Sequence, residues 1–419
     1  MTRPPDVRID ALAAPRFAPG VEALMASLAQ VGADVRLEEE PLLDAARAQT
    51  GLSDFGADDF RERLRVLLRA LNEEAGLSDA GRFMQQQLVA QLLRNRLLVR
   101  HLLSRHPEIR DVPVERPIVI CGLPRTGTTH LHNLMAADPA LRSLPYWEAL
   151  EPVLADAERP APGEPDPRTV RTEQALAFLE MALPYFKRMH EMTVDHIHEE
   201  IQLLAIDFST MLFETIAPMP SWRDWYLSHD QTSSYEYLRS VLQVLTWLRG
   251  GTRWVLKSPQ HLEQFGVLAR VFPDATFVVT HRDPVSITAS VATMIAYSAR
   301  LVLAPVDPLA IGRYWAARVE TMIGACVRDR HLLPAERSVD VRFDAFMADD
   351  VATVARVYAL AGQPFTPAVE RRMRDFMVHN PRGRLGGVRY DLADFGLDGA
   401  ERRAALRFYT DRFGVTSER

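Results

Sequence analysis

The sequence predicts an α/β fold in which a central parallel sheet is entered through a P-loop-like strand–loop–helix unit. A helical region precedes that sheet and a helical insert interrupts it. Three observations predict this. An apolar run at 118–121 breaks into a small-residue loop and then into a helix that begins at Thr128. Three further short apolar runs, at 252–256, 276–280 and 338–343, are separated by stretches of helical length, the spacing that parallel crossovers require. Before the first strand, apolar residues recur at helical spacing opposite charged ones.

Residues 1–20 hold four prolines and no sustained periodicity, so they read as an arm that is either loose or laid along a neighbour. From Asp58, the residues Phe60, Leu64, Leu67, Leu68 and Leu71 form one helical face, with Arg61, Glu62, Arg65 and Arg69 opposite. A second helix runs from Ser78, its N-cap, through Leu88, Leu92, Leu93 and Leu97. Its Arg94, Arg96 and Arg100 read as a solvated face. The loop helix from Thr128 is stopped by Asp138 and Pro139. Residues 156–168 hold four prolines and a glycine, the composition of an exposed loop. Residues 170–250 read as helical and rich in large apolar groups, most of them core and a few suited to an apolar acceptor pocket. Helices are expected over 285–300 and 311–327, and loop structure over 380–399. The expected division is a helical region over 1–115 and an α/β domain over 116–419, with the insert at 150–250 binding acceptor.

Composition narrows the function. Of the 419 residues, 47% are hydrophobic and 25% charged, as in ordinary globular proteins. A net charge of −6 argues against nucleic acid as partner. With two cysteines, Cys121 and Cys326, neither a disulfide framework nor a thiolate metal site is supported. No apolar stretch reaches membrane-span length and the first residues lack a signal core, so a cytoplasmic location and no membrane span are expected. His190, His196, His198, Glu199, Glu200 and Asp207 lie close together on a stretch expected to be helical. They lack the i, i+4 histidine spacing of a metal helix, so a polar edge of the acceptor pocket is expected rather than a metal site.

The chemistry starts at the loop. Gly122 and Gly127 have P-loop spacing, but Thr128 stands where a nucleoside triphosphatase carries its lysine, and the loop's cation comes earlier, at Arg125. Strand-to-helix turns present oriented amides to anions. Near the C-terminus, Arg382, Gly383, Arg384, Gly386, Gly387 and Arg389 form either a glycine–arginine loop that closes over a phosphate or a plain surface turn.

Two separated motifs then resemble one family. Pro124-Arg125-Thr126-Gly127-Thr128-Thr129 is similar to the 5′-phosphosulfate loop of sulfotransferases that use 3′-phosphoadenosine 5′-phosphosulfate (PAPS). Phe277 to Pro284, with Ser290 eight positions after Arg282, resembles that family's 3′-phosphate strand and helix. The likeness extends to 254–259 and 341–343. It implies the bacterial branch of the family, a three-layer P-loop-like fold, and transfer of a sulfuryl group from PAPS to a hydroxyl, or secondarily an amine, of a small apolar acceptor. The product nucleotide would be adenosine 3′,5′-bisphosphate (PAP), and no metal is required. The implied nucleotide-binding residues are Arg125, Thr126, Gly127, Thr128, Thr129, Arg282, Ser290 and Arg382, with His130 where soluble members place an adenine-stacking tryptophan. Arg125 and Lys257 are assigned to the developing charge. Glu148 and His261 are both candidates for the general base, with Glu148 favoured. A homodimer is left open, and the acceptor is a small molecule. A magnesium-dependent kinase and a non-catalytic nucleotide-binding protein are the alternatives.

Overall fold

The computed structural model describes residues 3–251 and 253–418. The arm is not loose: β1 (Val7–Arg8) pairs in parallel with a late strand, and the amide of Val7 donates to the carbonyl of Gly387 at 3.0 Å. Four helices follow, α1 (Pro19–Gly32), α2 (Glu39–Thr50), α3 (Asp59–Glu73) and α4 (Asp79–Arg105). The α3 face of Phe60, Leu64, Leu67, Leu68 and Leu71 is buried as the periodicity predicts. Ser78 caps α4 by accepting from the amide of Gly81.

The solvated reading of the α4 arginines is overturned for Arg96 and Arg94 and holds for Arg100, which stays partly exposed. Arg96 is 3% exposed; it donates to Asp207 at 2.7 Å and lies 4.2 Å over the Phe60 ring. Arg94 pairs with Glu151 and Glu158, and Arg100 pairs with Asp54. Asp207 also accepts from Arg63 and Ser234. This buried carboxylate between two guanidiniums ties the helical region to the insert, which is why α4 packs on several sides rather than one.

The sheet holds β2 (Ile118–Gly122), β3 (Val255–Ser258), β4 (Thr276–His281) and β5 (Ser338–Arg342) in the order β3-β2-β4-β5, all parallel. The closing strand of the small pair with β1 is β6 (Val388–Arg389). Expected position 252 lies outside the described residues, and β3 starts three residues later and carries Lys257 inside it. Phe343 begins a helix instead of ending β5. Strand residues alternate between two cores. Ile118, Ile120, Val278 and Val341 pack with the helix after the loop, α5 (Thr128–Ala136), and with Val354 and Tyr358; Val119, Cys121, Phe277 and Val279 face the larger core. Helices on both faces of the sheet make three layers, and both cysteines are free and buried.

Residues 170–250 are not continuous helix. Helices Pro167–Ala182, Phe186–Met189, Ile201–Ala205, Pro220–Ser228 and Thr232–Arg249 are separated by irregular chain, and the histidine-rich segment at 190–200 falls in one such gap. That segment bonds across to an earlier one: the amide of His198 donates to Leu144 at 2.7 Å, and Trp147 donates to Val194. Among the described residues no helix is long and apolar enough to cross a membrane.

Candidate active site

The parallel register brings the carboxyl ends of β2, β3 and β4 to one edge, where open α/β sheets bind ligands. A cavity of about 630 Å³ lies there, lined by the β2–α5 loop, residues 187–199, Arg282 and residues 380–386.

Gly122 is required by proximity. A Cβ at that position would sit 1.9 Å from Thr280 Oγ1, and the Thr280 hydroxyl closes the loop by pairing with Thr126 Oγ1 at 2.7 Å. Thr126 is consequently spent inside the protein, and its hydroxyl also meets the carbonyl of Leu123. Arg125 and Gly127 take φ of 71° and 87°, left-handed conformations of the kind that gather amides into an anion-binding concavity. α5 begins at Thr128 with no side-chain cap, so its first N–H groups have no side-chain acceptor, and Thr128 and Thr129 line the cavity.

Two arginines stand beside this N-terminus. Arg125 donates to the carbonyl of Met189, while its Nε is buried with no partner. Burial lowers its pKa, and Arg282 pushes the same way. Arg282 leaves the end of β4, lies 4.0 Å over the Phe343 ring and donates to the carbonyl of Arg125. Its Nε and Nη2 grip the Glu418 carboxylate at 2.6 and 2.7 Å. Burial pulls the Arg282 pKa down, but the hydrogen bonds and charge of Glu418 hold it above the ordinary value. Ser290 is buried in the helix Pro284–Ala299 and is not among the residues lining the cavity. Ser286, one turn earlier, is the hydroxyl that reaches Glu418, at 3.4 Å.

Lys257 projects from β3 almost fully buried. Its ammonium pairs with Glu199, which lines the cavity, and lies 3.4 Å from Thr129 Oγ1. The neighbouring Glu200 turns inward, accepting from the Lys257 amide at 2.8 Å and meeting His261 Nε2 at 2.5 Å. Consecutive glutamates thus serve opposite sides of the segment, one the cavity and one the core.

Neither base candidate from the sequence lines the cavity. Glu148 is fully buried between Arg142 at 2.6 Å and Arg249 at 3.1 Å, guanidiniums that lie over Trp254 and Trp147. His261 is fully buried with both ring nitrogens engaged, by Glu200 and by Tyr235 at 2.9 Å. Both are locked into packing contacts and present no free acceptor to the cavity. Arg382 sits at the rim, half exposed, bonded at 2.7 Å to Asp350, which also meets His130 Nε2 at 2.9 Å. The His130 ring is tilted against Phe346 at 5.5 Å. Residues 381–386 do line the cavity, and Glu191, which also lines it, pairs with Arg384 of that stretch.

Among the described residues no group of three His, Cys, Asp or Glu is placed to hold a metal ion. Burial lowers His190 to about 4 and His196 to about 3, with Lys257 adding to each effect, and drives His132 and His198 well below the ordinary value. At neutral pH they are uncharged polar groups. Unfolded histidines take up protons near pH 6.5, whereas His190 and His196 hold out to about 4 and 3. The unfolded state therefore binds more protons in that window, and stability present above pH 6.5 declines as pH falls through it. Urea midpoints at pH 7.5 and 5 should show a loss on the order of 1 kcal/mol per such histidine, discounted for their partial solvent contact. A shallower profile in a His190→Gln, His196→Gln variant, with the remaining slope left to His132 and His198, identifies these groups as a source; an unchanged slope assigns it elsewhere.

Residues 117–367, over half of the chain, match the Sulfotransferase family. The omega-hydroxy-beta-dihydromenaquinone-9 sulfotransferase Stf3 of Mycobacterium bovis is 27% identical over 187 residues, 41% of this chain and 43% of that protein, so the match spans less than half of the relative's length. Among solved structures, sulfotransferase STF9 from Mycobacterium avium superposes with a TM-score of 0.81 at 28% identity, covering 92% of this chain and 98% of that one. STF1 from Mycobacterium tuberculosis H37Rv gives 0.77 at 29%, covering 88% and 99%.

Proposed function

The chain belongs to the sulfotransferase family, and from that premise we propose that it transfers the sulfuryl group of PAPS to a hydroxyl, or secondarily an amine, of a small apolar acceptor. The observation that carries this reading is Glu199 in one cavity with Arg125, Arg282 and the uncapped N-terminus of α5, backed by the buried Lys257, whose ammonium meets Glu199 and Thr129 at the cavity wall. The unpartnered Nε of Arg125 and the uncapped helix fit a 5′-phosphosulfate. Arg282, already holding a carboxylate by two donors, fits the ribose 3′-phosphate, with Ser286 the nearer hydroxyl and Ser290 supporting from behind. His130 and Arg382 border the nucleotide at its other end.

PAPS supplies the sulfuryl group and a phosphate leaving group. As the acceptor oxygen–sulfur bond forms and the sulfur–phosphate oxygen bond breaks, Glu199 takes the acceptor proton. Lys257 meets the negative charge growing on the phosphate oxygen, and Arg125 holds the sulfuryl and 5′-phosphate oxygens. Glu199 replaces Glu148 and His261 as base because it alone of the three lines the cavity. Its ion pair with Lys257 opens as the substrates enter.

Thermal shift with PAP against ATP plus magnesium tests the reading. Ligand at a hundred times its Kd should add about 2.7 kcal/mol. Stabilisation by ATP and magnesium alone overturns it. The same titration tests Arg282, since Glu418 must leave before a phosphate binds. Glu418→Gln should tighten PAP roughly two- to fivefold, and an unchanged or weakened Kd removes Arg282 from the 3′-phosphate.

A further inference from the structure

Beside the reaction cavity, the helix Pro167–Ala182 carries apolar side chains that it does not bury. Only Arg168, Thr172 and Ala182 are buried along its length. Its second half reads Ala175-Leu176-Ala177-Phe178-Leu179-Glu180-Met181, with Met181 60% exposed and Tyr185 just beyond it 37% exposed. A packed helix places such a face against the core, and apolar surface gathered at one place marks a binding surface.

Leu176, Ala177 and Leu179 of this helix form one wall of a groove of about 320 Å³, whose other walls are Leu183, Pro184, Phe186 and the segment Met192 to Val194; Met181 and Tyr185 lie outside it. The charged residues Glu173, Glu180 and Lys187 border it, and Lys187 is neutralised by its pair with Glu180. The remaining polar side chains lining the groove are His190, held uncharged by burial, and Thr193. Lys187, His190 and Thr193 line both this groove and the reaction cavity, so the two spaces share a wall. Glu199, the acceptor-side carboxylate, lies within the same cavity.

We propose that this groove binds the apolar chain of the acceptor, so that the acceptor is an alcohol with its hydroxyl at one end of an extended hydrocarbon chain. The inference rests on the sulfuryl-transfer reading and adds the acceptor's shape and the subsite that selects it. A sugar acceptor needs hydrogen-bonding partners along its length, whereas apolar side chains dominate this groove; its polar ones are Glu173, Glu180, Lys187, His190 and Thr193, of which Glu180 and Lys187 are paired with each other. A chain alcohol needs the reverse: apolar contact along its body and polar groups at its hydroxyl.

The test is steady-state sulfation of a series of linear primary alcohols by the full-length protein with PAPS. Each methylene that enters the groove should raise kcat/KM about three- to fourfold until the groove is full, after which the series levels off. Leu176→Trp fills the groove and should flatten the series, and Ala177→Trp, at an exposed position, does so if the first variant misfolds. The PAP thermal shift reports folding in both. Failure of PAP to bind the wild type defeats the sulfuryl-transfer reading itself. PAP binding and alcohol sulfation with no dependence on chain length defeat only the groove. A series that stays steep in both folded tryptophan variants overturns it as well. So does binding to phosphatidylcholine–phosphatidylglycerol vesicles that raises activity equally for every chain length, because the face would then be a membrane contact. A concentration-dependent dimer lost in Ala177→Trp would instead assign the face to a second copy.

Discussion

Lys257→Ala is expected to lower kcat by roughly two to three orders of magnitude while leaving the affinity for PAP within a fewfold. The asymmetry follows from where the ammonium sits. Lys257 is held within a buried strand and reaches the cavity only through Glu199 and Thr129. Its charge therefore matters most when negative charge grows on the leaving oxygen, a state that ground-state binding of PAP does not sample. Lys257→Arg should not restore the rate, because a planar fork cannot occupy the place of a compact ammonium inside the strand. The decisive measurement is single-turnover kcat beside calorimetric binding of PAP. Unchanged kcat, or losses of equal size in both quantities, would remove Lys257 from the transition state.

Glu199→Gln is the second large effect, an expected loss of about 10²- to 10⁴-fold in kcat with PAP affinity preserved. The informative control is Glu148→Gln. Glu148 sits between two guanidiniums, far more buried than Arg249 on its outer side, and its neutralisation leaves both arginines unmatched. That change should cost stability, on the order of 1–3 kcal/mol, and leave kcat per folded molecule near the wild-type value. Chemical denaturation alongside turnover separates the two roles. A Glu199→Gln enzyme at full rate, paired with a folded but inactive Glu148→Gln enzyme, would return the base assignment to Glu148.

The two glutamates also mark where sequence reading stopped. Glu148 is attractive in sequence because it closely follows the phosphate loop helix, yet its distance from that helix in the chain says nothing about which way the side chain turns. Arg142 is only six residues away and claims it at 2.6 Å. Glu199 stood within the histidine-rich segment, which the sequence reads as helix. Irregular chain at 190–200 places His190, His196 and Glu199 along the cavity, and its cross-bonds to Leu144 and Trp147 are long-range contacts without a periodic trace. Helical spacing would have scattered those residues around an axis. Glu418 carried no signal at all, because its significance exists only beside Arg282, at a sequence separation of 136. The α4 arginines show the same limit: a polar helical face looks solvated until Asp207, 111 residues from Arg96, is found against it.

What the sequence determined by itself was local and periodic. It determined the strand–loop–helix with its small residues, the short apolar strands of a parallel sheet, the amphipathic α3 and the Ser78 cap. Each depends on steric and hydrogen-bond preferences acting within a few residues. The two separated motifs also identified the family, and parallel strands bring their carboxyl ends to one edge whatever the length of the crossovers between them. Tertiary structure alone decided which ionisable groups reach the cavity. Lys257 meets Glu199 across 58 residues, while Glu148 and His261 are taken by arginines and by a buried glutamate–tyrosine pair. A buried charge is stable only with its partner, and the partner is set by packing between distant segments, which local preference does not encode.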